Sequence, residues 1–397
     1  MPNANKTLAG RHFLQIPGPT NVPDRVLRAM DRAMMDHRSP EFGEMTLRIL
    51  PRLQQIFDCT GPVAMFPGAG HGAWEAALTN SLSPGDKVLI PETGRFGLSW
   101  GDMGRTLQIE PEILPNDWRS AIDPADVEAR LSADTNHEIK AVLLVHTDTA
   151  TGITCDVAAV RAAMDAANHP ALLMVDTIAS LMTTDFRMDE WGVDVTVAAG
   201  QKGIMLPPGL AFCAVNEKAL EVHKTSTMPR GYWDWTYRMN EEVFYMAFCG
   251  TAPEQLLFGL RAAIDMLWEE GFDNVFARHA RLSSAVRAGI DTWAEAGALE
   301  LFARNVDERS NAVTAILVDP AYDPVHVRNI CRENFNLALG NGLGKVAKET
   351  FRIGHMGDLN EPMVFGTLAS VEAGLKLAGV PYKSGGVEAA IEVLTAS

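Results

Sequence analysis

At 397 residues, 47% of them apolar, the chain is long enough for one large domain and a smaller one, each with a sizeable core. Its 34 Lys and Arg against 50 Asp and Glu leave a net charge of −16, which repels phosphate backbones and anionic membrane surfaces, and no local basic patch offsets it. Neither a nucleic acid nor a membrane is therefore expected as a partner.

The N-terminal stretch MPNANKTLAGRHFLQ lacks the apolar segment of a signal peptide, and no run reaches the ~20 apolar residues of a membrane span, so a cytoplasmic location is expected. Residues 1–22, running into IPGPTNVP (16–23), are too rich in proline for regular structure and read as an arm lying on a partner subunit. Short apolar runs then recur at 63–67, 87–91, 140–146, 171–176, 193–199 and 210–215, separated by helical patterns such as 156–168. Runs that are apolar on both faces predict a mainly parallel sheet covered on both sides, an α/β domain over 23–270. From Pro253 a long helix is predicted, then a second from Phe272 to about Ala296. Strand-like 311–319, helix-like 324–334, strand-like 350–357 and helix-like 361–379 complete a smaller α+β domain over 271–397.

The five cysteines are scattered and show neither CxxC nor Cys/His ligand spacing, so no metal site is expected and most should be small buried hydrophobes. Three other features sit where ligands bind in open α/β sheets, beyond the carboxyl ends of strands. The turn PGAGHGAWEAAL (67–78) joins a strand to a helix, and is either a phosphate cradle of backbone N–H groups or an ordinary tight turn. Asp176 closes ALLMVD, as a helix cap or as a buried carboxylate awaiting a cation. Lys202 follows the next strand between Gly200, Gly203, Pro207, Pro208 and Gly209, in a turn that holds backbone close to a ligand. A lysine that can lose its proton in a low-dielectric site can condense with an aldehyde. Together the three describe a pyridoxal phosphate site: a phosphate cup, a carboxylate for the ring nitrogen and an amine for the aldehyde.

Over nearly its whole length the chain resembles the class V, fold-type I aminotransferases of the serine–glyoxylate and alanine–glyoxylate group. The segments that carry the likeness are IPGPTNVPDRVLRAM, DHRSPEF, HTDTATGI, VDTIAS, GQKGIMLPPGL and FRIGHMGDLNE. The resemblance implies that Lys202 is the Schiff-base lysine, Asp176 the partner of the ring nitrogen and Gln201 a neighbour of the phosphate, cradled by Ala69, Gly70 and His71. It implies that Phe96 stacks on the cofactor ring, that Thr149 contacts its phenolic oxygen, and that Thr251 reaches the phosphate of a neighbouring subunit in a homodimer. Arg352 would grip the substrate α-carboxylate, with Gly18 and Pro19 lining the substrate side. His71 either stacks on the ring or closes the turn. His146 is expected to be a packing residue, His355 and Asp358 supports for Arg352, and 231–245 a mobile loop at the site mouth or dimer interface.

The implied reaction moves the amino group of a small L-amino acid to glyoxylate, giving glycine, with serine the first choice of donor and aspartate the second. Alanine, ureidoglycine and pyridoxamine are donors among relatives. Ala69 stands where a hydroxyl residue is common in the family, and Phe248, Cys249 and Gly250 depart from its pattern before Thr251, changes that leave the cofactor chemistry intact and the amino donor open. Arg230 and Arg238 flank this altered stretch and are candidates to pair with a second carboxylate of aspartate. A cysteine desulfurase would need a nucleophilic cysteine before Arg352, and LALGNGLGKVAKETF has none. A nicotinamide-dependent oxidoreductase would explain the glycine turn but not Lys202 with Asp176.

Overall fold

Side chains that alternate between two apolar layers organise the larger sheet of this computed structural model, which describes residues 10–240 and 247–396. On the strands Ile139–Val145 and Leu172–Asp176, Val142, Leu144, Leu173 and Val175 enter one core. Their neighbours Ala141, Leu143, Leu172 and Met174 enter another on the opposite face. Both faces are therefore closed to water, as the uninterrupted apolar runs require. One layer is completed by Leu53, Phe57, Val160, Met164 and Leu257, the other by Trp74, Leu78 and Trp100 from the helices Gly70–Ser81 and Arg95–Thr106.

The sheet has seven strands, in the order Val63–Gly68, Gly209–Val215, Val195–Ala199, Leu172–Asp176, Ile139–Val145, Lys87–Pro91 and Glu110–Leu114. Only Gly209–Val215 runs against its neighbours; the remaining pairings are parallel. Asp176 pairs with Val197, so these two strands present their carboxyl ends side by side. Glu110–Leu114, a partly exposed edge strand, was not expected from the sequence.

A second sheet of five strands runs Phe13–Gln15, Leu337–Asn341, Thr350–Gly354, Val313–Val318 and Leu299–Leu301. It packs on Leu282, Val286, Ile290 and Trp293 of the helix Phe272–Ala294, and on Val364, Leu368, Val371 and Leu375 of Glu361–Ala378. Both sets recur every three or four residues, one stripe of each helix. The N-terminal segment corrects the expectation of an irregular arm, because Phe13–Gln15 forms a strand parallel to Leu337–Asn341. The RHFLQI stretch (11–16) before Pro17 contains no proline, so it is free to donate to a ladder while Phe13 packs on the second core. The strand Leu337–Asn341 and the helix Gly386–Thr395 were likewise not anticipated.

Leu144 is fully buried in the sheet layer, so Leu144→Ala should cost about 2–5 kcal/mol of unfolding free energy in a denaturant titration, with a change below about 1 kcal/mol contradicting this packing.

Candidate active site

Two adjacent parallel strands deliver the central pair. Asp176 ends one strand, and Lys202 stands three residues beyond Ala199, the end of the next. The turn around Lys202 is held from several directions. Gly200 N donates to Leu210 O at 2.9 Å, Met205 N to Lys202 O at 3.0 Å, and Thr20 N to Gln201 O at 3.1 Å. A Cβ at Gly203 would lie 2.1 Å from Leu181 O, so no side chain fits there. The lysine Nζ donates to Pro17 O. Gly18, with φ +88°, lies so close that a Cβ on it would be 2.5 Å from Lys202 Cδ and 2.6 Å from Nζ. Gly18 thus serves the lysine as much as any substrate.

The Asp176 carboxylate accepts from Trp74 Nε1 at 2.9 Å and from Ile178 N at 2.7 Å. Burial dominates its electrostatics and pushes its pKa up to about 7 against those two hydrogen bonds, with repulsion from Asp148 adding and attraction from Lys202 subtracting. Burial likewise lowers Lys202 to about 8, helped by the Arg352 charge and opposed by Asp176. Each group is driven toward neutrality because the other charge is an insufficient partner across this site.

Asp176 and Lys202 share a cavity of about 180 Å³ with Gly18, Pro19, Ala69, Gly70, His71, Phe96, Thr149 and Gln201. Ten predicted residues are therefore brought together. Ala69 precedes the helix Gly70–Ser81, which no side chain caps, so its first N–H groups are available to an anion. Gly70 admits Ile178 closely: a Cβ would be 2.4 Å from its Cδ1. His71 lies 4.4 Å from Trp74, centroid to centroid, and burial, then Arg95, lowers its pKa.

The turn 147–154 is fixed by Asp148, whose carboxylate accepts from Phe96 N at 2.7 Å and Ala150 N at 2.9 Å. One buried carboxylate thereby sets both Phe96 and Thr149. Thr149 O in turn accepts from Arg352 Nη1 at 2.6 Å. Arg352 also donates through Nε to Asn341 O, and it lines an adjoining outer cavity shared with Gly18, Phe96, Thr149 and Lys202. Burial, against the attraction of Asp148, lowers Arg352 to about 10, so it keeps its charge at neutral pH.

Other expectations fare differently. Arg230 donates to Ser226 O and Met228 O, and Arg238 is buried, donating to Tyr232 O and Ala247 O and lying over Phe66. Neither lines the inner or the outer cavity, since both are consumed by backbone carbonyls of their own segment. Of 231–245, residues 241–245 lie outside the described residues; in the rest Trp235 is fully buried and held through Asn80, while Tyr232 and Tyr237 are exposed. His355 bonds Thr314 and Asn311, whereas Asp358 is exposed. His146 packs beside Phe186 and Trp191. Thr251 is exposed and lines neither cavity of its own chain. Trp74, Asp148 and two further arginines, Arg328 and Arg332 at the outer cavity, were missed. Trp74, four residues after Gly70 and so one helical turn on, was the readable signal among them.

Gln201 tests whether the residues suit a pyridoxal phosphate. Its Oε1 is buried without a partner among the described residues although the side chain lines the inner cavity. Turning the amide presents two N–H donors instead, which suits a phosphate beside the uncapped helix. Asp176, which has no ion-pair partner among the described residues, suits a protonated ring nitrogen, and Lys202, lowered to about 8, gives up its proton readily enough to suit an aldehyde. The residues fit the group, and the site is that of a pyridoxal-phosphate enzyme built on the fold-type I plan.

Comparison with known proteins agrees. The model of the family Aminotransferase class-V matches residues 63–353, and the chain belongs to that family. It is 43% identical to a serine–glyoxylate aminotransferase of Arabidopsis thaliana, over 96% of this chain and 94% of that one. It is 42% identical to an L-aspartate–glyoxylate aminotransferase of Paracoccus denitrificans, over 95% and 94%. The crystal structure of a ureidoglycine–glyoxylate aminotransferase from Bacillus subtilis superposes with a TM-score of 0.88 at 26% identity, covering 98% of this chain and 99% of that one. The chain is a pyridoxal-phosphate-dependent aminotransferase, and among the described residues no helix is long and apolar enough to cross a membrane.

Without cofactor, Asp176 is protonated more readily in the folded protein, near 7 against 3.8, so it withdraws stability as pH rises between those values. Lys202, near 8 against 10.5, returns stability as pH rises between those values. Melting temperatures of the cofactor-free protein should therefore show Asp176→Asn gaining on wild type from pH 4 to pH 7; parallel curves would contradict the burial of this charge.

Proposed function

We propose that the enzyme moves the amino group of a small L-amino acid to glyoxylate, releasing glycine, with serine as the principal donor. What supports this most is the juxtaposition of Lys202 and Asp176 at neighbouring strand ends within one cavity. The donor rests on the likeness to the Arabidopsis serine–glyoxylate enzyme. Bound pyridoxal phosphate supplies an aldehyde for the amine and a ring that takes up electrons when the Cα–H bond breaks.

The chain's own residues do the rest. Lys202, with a pKa near neutrality, takes the proton from the substrate Cα and returns a proton later in the cycle, so one group serves as base and acid. Asp176 would hold the ring nitrogen's proton, and the first turn of the helix from Gly70, with His71 and Gln201, would hold the phosphate. Phe96 would stack on the ring and the Thr149 hydroxyl would meet its phenolic oxygen, both residues lining the inner cavity. Arg352 orients either substrate by its α-carboxylate, with Gly18 and Pro19 closing that side. Donor and acceptor then use one cavity in turn, which gives ping-pong kinetics. In the proposed homodimer Thr251, exposed on its own chain, serves the phosphate of a second copy. Unpaired cysteines suit a reducing cytoplasm. Aspartate is the second reading, favoured by the charge of the outer cavity.

Serine followed by glyoxylate should first change and then restore the visible absorbance of the cofactor-loaded protein, and failure of every small amino donor to do so would overturn the reading. Lys202→Ala should slow the transfer by ~10²–10⁴-fold. Arg352→Ala should raise KM for donor and glyoxylate alike by ~10–100-fold, and a rise for one substrate alone would remove it from the shared carboxylate site.

A further inference from the structure

The outer cavity, of about 390 Å³, is lined by Lys202, Arg328, Arg332 and Arg352 and by no carboxylate. In a chain of net charge −16 such a one-sided grouping has to be held against its own repulsion. Lys202 and Arg352 already have roles; the other two do not.

Arg328 and Arg332 stand one turn apart on the helix Pro324–Phe335. Arg328 is half-buried, and its Nε donates to Leu339 O at 3.0 Å. Its two terminal nitrogens have no acceptor among the described residues. The next residue, Gly340, is the one that makes room for Arg352: a Cβ there would lie 3.0 Å from Arg352 Cβ and 3.3 Å from its Nε. Consecutive residues of one strand thus seat the two guanidinium groups. They feel each other, since repulsion from Arg328 adds to burial in lowering Arg352 against the attraction of Asp148. Arg332 acts in the same way on Arg328, after burial. Arg332 itself is exposed, with Glu333 at 3.3 Å, and forms the rim.

A solvated surface face would explain Arg332 by itself. It does not explain Arg328, pinned to the backbone beside the substrate arginine with its fork unpaired. The geometry points to a second anion subsite, formed by Arg328 with Arg332 at its rim, that takes the side-chain carboxylate of a dicarboxylic amino donor, aspartate, while Arg352 holds the α-carboxylate. A planar fork suits a carboxylate held through two parallel hydrogen bonds. The amino group of aspartate passes to glyoxylate, leaving the four-carbon 2-oxo diacid and glycine. This inference rests on the transaminase reading of the inner cavity.

Calorimetric titration of the cofactor-loaded protein with succinate and with propionate, unreactive dianion and monoanion, tests it. Succinate should bind more tightly by ~10-fold or more, and Arg328→Gln should bring the two within about twofold. In the same variant the kcat/KM ratio of aspartate to serine should fall by ~10-fold. Arg332→Gln, on the exposed rim, should lower both ratios in the same direction and decides the matter if Arg328→Gln fails to fold. Equal binding of succinate and propionate by wild type, or ratios that neither variant moves, would overturn the subsite. If serine and glyoxylate react while succinate has no preference, the subsite alone is wrong. If succinate is preferred but no donor reacts, the subsite stands and the transaminase reading falls.

Discussion

An amine and a carboxyl buried at the mouth of one sheet, neither adequately neutralised by the other, are the constraint on which the rest of the molecule depends. Burial holds Asp176 up and Lys202 down, so each sits near the pH at which it exchanges a proton. Such a pair is costly to fold around. A ligand that brings a proton to one and a carbonyl to the other removes both costs at once, so cofactor binding and folding stability are coupled here.

The fold supplies what this pair needs. Parallel strands place the two residues at adjacent carboxyl ends, above a sheet packed between two apolar layers. The second sheet then reaches back over the site. Its first strand leads into Pro17 and Gly18 against Lys202, and its central strand carries Arg352 to the Thr149 carbonyl. Asp148 ties these parts together by capping the helix that bears Phe96 and by attracting Arg352. It also accepts from Ala150 N in the turn that carries Thr149, so one interior carboxylate links cofactor side and substrate side without touching the proposed chemistry.

Much of this could be read from the chain. The central strands announce themselves because both of their faces are apolar, and Lys202 stands out because it interrupts such a run among glycines. Where interactions rather than patterns decide, the sequence was less legible. Phe13–Gln15 is a strand only because Leu337–Asn341 lies beside it, and both runs are too short to show a period. The sheet-edge strand Glu110–Leu114 shows no alternation for the same reason. Arg230 and Arg238 are near the altered segment in sequence, but carbonyl groups capture them before they reach the site. Arg328 and Arg332 lie in an unremarkable helical stretch, and only the packing of that helix on Leu339 turns them toward Arg352. Charge position, unlike hydrophobic period, is a property of the assembled fold.

The account turns on Lys202 as the residue to which the cofactor is attached. Borohydride reduction of the cofactor-loaded protein, followed by proteolysis and mass spectrometry, tests this directly. The account predicts the reduced phosphopyridoxyl group on the peptide containing Lys202, whereas its appearance on another lysine, or on none, would contradict it.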